Sequence, residues 1–71
     1  MPDDNHANIV IADTLTLLLH NQHALGAAIE ELASWVRVNG SPTAHANVIT
    51  ALQTLDTNAS AITAGILKLR Q

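Results

Sequence analysis

Heptad spacing constrains this chain more than any other feature. Ile11, Leu15, Leu18, Gln22, Leu25, Ile29, Leu32 and Val36 follow one another at alternating steps of four and three residues. Val48, Leu52, Leu55, Ala59, Ile62, Ile66 and Leu69 repeat the alternation. That period keeps a stripe of side chains on one side of a gently supercoiled helix and does not match the two-residue period of a strand. Between the stripes stands Asn39-Gly40-Ser41-Pro42. Asn39 and Gly40 tolerate the left-handed conformation that often closes a helix. Ser41 suits the next N-cap, and Pro42 suits a first helical position, where no intrahelical partner awaits an amide hydrogen. The sequence therefore predicts one helical hairpin over residues 1–71, with a first helix over about 4–39, a turn at 40–41 and a second helix over about 42–69.

So short a turn makes the helices antiparallel neighbours. One register sets Val36 against Val48, Ile29 against Leu55, Leu25 against Ala59 and Leu15 against Leu69. It also carries Lys68 and Arg70 toward Asp3 and Asp4 at the start of the first helix, where acids suit one helix dipole and bases suit the other. Gln22 is the polar interruption of the first stripe. A polar side chain at such a position fixes register or oligomeric state, so Gln22 is expected to set the register. Gly26 and Gly65, costly inside helices, suggest either close approach between them or ordinary sequence drift.

Two helices cannot enclose a core, because each covers one side of the other. Chains of this size usually need a disulfide, a metal or another subunit. The 71 residues include no cysteine, which removes the disulfide and the commonest structural zinc sites. A second apolar strip points to the subunit: Val10, Leu17, Ala24 and Val38 share one heptad position, and Ala28 and Trp35 share another. Leaving large aliphatic residues of that strip in water forgoes about 1.5–3 kcal/mol each. The expected fold is all-α: an antiparallel, coiled-coil-like hairpin that dimerises into a four-helix bundle, with Val10, Leu17, Trp35 and Val38 at the interface.

Charge narrows the partners. Three bases against six acids give a net charge of -3, and the bases form no patch, so nucleic acid is not expected. The start of the chain is acidic where a secretory leader is basic. Leu17-Leu18-Leu19 is interrupted by His20, Asn21, Gln22 and His23 well short of the roughly 20 residues that span a bilayer. No membrane contact is expected, and a cytoplasmic location is.

Few residues offer chemistry. His20 and His23, three apart, can point at one metal ion from one helix, but no third ligand stands near them in sequence. They are weak metal candidates beside the simpler reading of a solvated polar face. Glu30 and Glu31 are adjacent and diverge around the helix, unlike paired catalytic carboxylates. No nucleophile has the setting that activates one, so neither catalysis nor a cofactor is expected. The expected role is a protein interaction and oligomerisation module, with another helical protein as a further partner. Two alternatives are a small chaperone or adaptor that sequesters a client's amphipathic helix, and a metal- or ligand-binding bundle.

Overall fold

A computed structural model describes residues 4–71. Helix α1 spans Asp4–Asn39 and α2 spans Pro42–Arg70, and the two pack against each other. No strand occurs among the described residues. The molecule is a rod of 58 × 15 × 13 Å, one hairpin long and one helix pair thick.

The turn is built by sequence-local chemistry. Ser41 is extended, at φ -84° and ψ 152°, and its hydroxyl accepts the Ala44 amide at 3.0 Å. Its carbonyl accepts the His45 amide, which closes the first turn of α2 around Pro42. At the end of α1 the expected left-handed closure does not occur, since no described residue has a positive φ. The Gly40 amide instead donates to the Val36 carbonyl at 2.7 Å, extending the helical pattern. Glycine is needed there for space: a Cβ at position 40 falls 2.9 Å from both that carbonyl oxygen and Val36 Cγ1.

In α2 the seam lies where the spacing puts it. Val48, Leu52, Leu55, Ala59, Ile62 and Leu69 are half-buried and Ile66 is buried. In α1 it does not. Ile11, Leu18, Leu25 and Leu32 are exposed, and Ala12, Leu19, Gly26 and Ala33 take their places beside Leu15, Ile29 and Val36. Alternate rungs have moved by one residue, which turns α1 by about 50° relative to the predicted seam. The row that faces α2 is also spaced at sevens, and its small side chains make room for the leucines and isoleucines of α2. Among the described residues the one buried cluster is Ala12, Leu19 and Ile66, bordered by Leu15, Ala59, Ile62 and Leu69.

An exposed ion pair spans the open end. Arg70 Nη2 donates to Asp13 Oδ1 at 2.7 Å, with the two side chains 39% and 65% exposed. Such a pair adds about 0–1 kcal/mol but agrees with the antiparallel arrangement. The predicted acidic partner Asp3 lies outside the described residues.

Neither internal glycine marks close approach within the hairpin. A Cβ at Gly26 or Gly65 meets no atom within 4 Å. Gly26 instead borders a hollow of about 150 Å³ between the helices, opposite Leu55 and Ala59. Gly26→Ala should therefore stabilise the hairpin by about 0.5–1 kcal/mol through helix propensity. Thermal melts should register a rise of about 4–8 °C per kcal/mol for a chain of this size. A fall would show that something else already occupies the hollow.

Candidate interaction surface

The residues with chemical potential are scattered. His20 and His23 are both exposed on α1, and no group of three or more His, Asp or Glu among the described residues is placed to hold a metal ion. His23 shares the rim of the Gly26 hollow with Glu30 and Asp56. His45 is half-buried in a separate groove, near Arg37 and Ile49. Glu30 borders both hollows, while Glu31 is exposed on α1. Gln22 is exposed at the rim of two hollows, facing Leu55 and Ala59, and its amide makes no hydrogen bond to another described residue.

The outer surface of α1 is where apolar character collects. Leu17, Leu18 and Leu19 divide the helix between them: Leu19 is 7% exposed, Leu18 52% and Leu17 63%. Leu19 belongs to the seam. Leu18 stands beside the seam in a row with Ile11, Leu25 and Leu32, seven residues apart. Leu17 stands opposite the seam in a row with Val10, Ala24 and Val38, which the exposed Glu31 interrupts. Between the two rows runs a line of mostly small residues ending in Trp35, and Trp35 and Val38 are 61% and 75% exposed. Sequence reasoning found the Leu17 row and missed that the Leu18 row joins it. The clue was present, because Ala12, Leu19, Gly26 and Ala33 share the heptad spacing and offer α2 a closer fit.

The threonine hydroxyls near this surface demand little of water. Thr14 Oγ1 donates to the Val10 carbonyl at 2.9 Å, and Thr16 does the same to Ala12 at 2.7 Å. Thr50, Thr54 and Thr63 repeat that bond along α2. A hydroxyl bound to its own helix loses less when covered by another protein surface than one that relies on water. By contrast, α2 exposes one large aliphatic side chain, Leu67, among the described residues. No helix among the described residues is long and apolar enough to cross a membrane.

Comparison with protein-family models, curated proteins and solved structures gave no match.

Proposed function

We propose that the chain is a non-enzymatic self-association module, a homodimer in which each hairpin covers the outer face of the other's α1 to form a four-helix assembly. The observation that carries this reading is the pair of adjoining exposed rows on α1, one through Ile11, Leu18, Leu25 and Leu32 and the other through Val10, Leu17 and Val38. Several large exposed aliphatics gathered on one helix face, with Thr14, Asn21 and Glu31 among them, mark an interaction site.

The area supports a partner of similar size. The chain exposes 5401 Å², whereas a compact monomer of its mass exposes about 4200 Å². The surplus, roughly 1200 Å², covers the about 800 Å² per partner that a standard interface takes. The small core points the same way, since no large side chain among the described residues is fully buried.

A chain stabilised by its own copy melts at a temperature that depends on concentration. Raising the concentration a hundredfold should raise Tm by about 9 °C for a dimer of this length. A Tm independent of concentration over that range would contradict self-association and favour a hairpin that holds a client's helix.

A further inference from the structure

The same outer face carries a symmetry. The exposed row of Ile11, Leu18, Leu25 and Leu32 has its midpoint beside residue 21. The line between the rows holds Ala7, Thr14, Asn21, Ala28 and Trp35, all exposed, with Asn21 at its centre. Asn21 borders a hollow with Ala24 and Leu25, and its amide makes no hydrogen bond to another described residue.

We infer that the second copy docks with its α1 antiparallel to the first, on a two-fold axis through Asn21, and that Asn21 is the residue that selects this register. The inference rests on the self-association reading and specifies its geometry. A two-fold contact requires that if one residue meets a second, the second also meets the first. Centring the axis on Asn21 sets Leu18 beside the partner's Leu25 and Ile11 beside the partner's Leu32, so every rung of the exposed row is covered. Moving the axis by half a heptad or more leaves one of these aliphatics overhanging.

Side-chain size selects the antiparallel direction. Along the central line the residues run from Ala7 to Trp35, so antiparallel docking sets the largest against the smallest and Thr14 against the partner's Ala28. Parallel docking stacks Trp35 on its own copy at one end and leaves two alanines facing at the other, against the preference for interlocking large with small. Asn21 meets its own copy on the axis. An amide offers both donor and acceptor, so the two can bond reciprocally. A slip of one heptad sets each amide against either Ala28 or Thr14. Ala28 offers no side-chain partner, and the Thr14 hydroxyl already gives its hydrogen to the Val10 carbonyl, so its oxygen can only accept. The reciprocal bond is lost, and that penalty selects the register. The two α1 helices then form the centre of the assembly, with each α2 on the outside.

The chain has no cysteine, so single cysteines report contacts without interference. Thr14→Cys and Ala28→Cys, one of them carrying a mass tag, are to be mixed, weighed by sedimentation and oxidised. In the antiparallel register positions 14 and 28 of opposite chains meet, whereas each position lies about 21 Å from its own copy, beyond disulfide reach. The mixed disulfide should exceed either homodisulfide about tenfold. With Asn21→Leu added to both chains, that preference should fall several-fold. Dimers that form homodisulfides as readily, or form no disulfide, would overturn the geometry and leave self-association standing. A preference unchanged by Asn21→Leu would overturn the selecting role of Asn21. Variants and parent chain that all sediment as monomers would overturn the geometry together with the reading beneath it.

Discussion

Leu17→Glu should weaken the assembly by about a hundredfold to ten-thousandfold in Kd. Leu17 is 63% exposed in the hairpin, so its own chain makes little use of it. In a symmetric dimer each substitution is made twice. Burying a leucine is worth about 1.5–3 kcal/mol, and losing two such burials costs about 3–6 kcal/mol before any cost of covering the new carboxylate. Thr57→Glu, at an exposed position on α2, adds the same charge away from the outer face of α1 and should leave Kd within a few-fold of the parent. Sedimentation of the three proteins checks the prediction. Equal effects at positions 17 and 57 would mean that the Leu17 row is not the interface.

The neighbouring leucines should part company in a different way. Leu19→Ala removes most of a side chain packed in the cluster with Ala12 and Ile66. Core truncations of this kind cost about 2–5 kcal/mol, a large share of what a chain of this length can hold. The hairpin should lose most of its helical circular dichroism near physiological temperature. Leu18 is half exposed and lies outside that cluster, so the urea midpoint of Leu18→Ala at high dilution should fall far less than that of Leu19→Ala. The effect of Leu18→Ala should appear mainly as a weaker dimer. If Leu18→Ala unfolds the diluted hairpin as severely as Leu19→Ala, the seam of α1 runs through Ile11, Leu18, Leu25 and Leu32 after all.

That pair of leucines also shows how far the sequence could be read. The two-helix, all-α architecture was legible because the period of the apolar residues admits little else, and the Ser41 cap because a hydroxyl before proline has few other uses. The seam of α2 was legible because it carries one continuous apolar row. In α1 the row through Leu15, Gln22, Ile29 and Val36 is flanked on both sides by residues at heptad spacing. Hydrophobicity favours Ile11, Leu18, Leu25 and Leu32 as the second half of the seam, whereas close packing favours Ala12, Leu19, Gly26 and Ala33. A pattern of apolar positions ranks residues by burial value and is blind to fit, so it chose the larger set. The same blindness misjudged the glycines: Gly40 is required by a contact with Val36, and Gly26 borders open space where close approach was one of two readings. His20, His23 and Gln22 were legible as positions only, because what a polar side chain does depends on what comes to face it.

The most direct test of self-association is the mass of the intact chain in solution by sedimentation equilibrium. At about 100 μM, a hundredfold above a micromolar Kd, the protein should sediment as a single species of twice its 7.5 kDa. A species of 7.5 kDa that persists, fully helical, at that concentration would contradict the account.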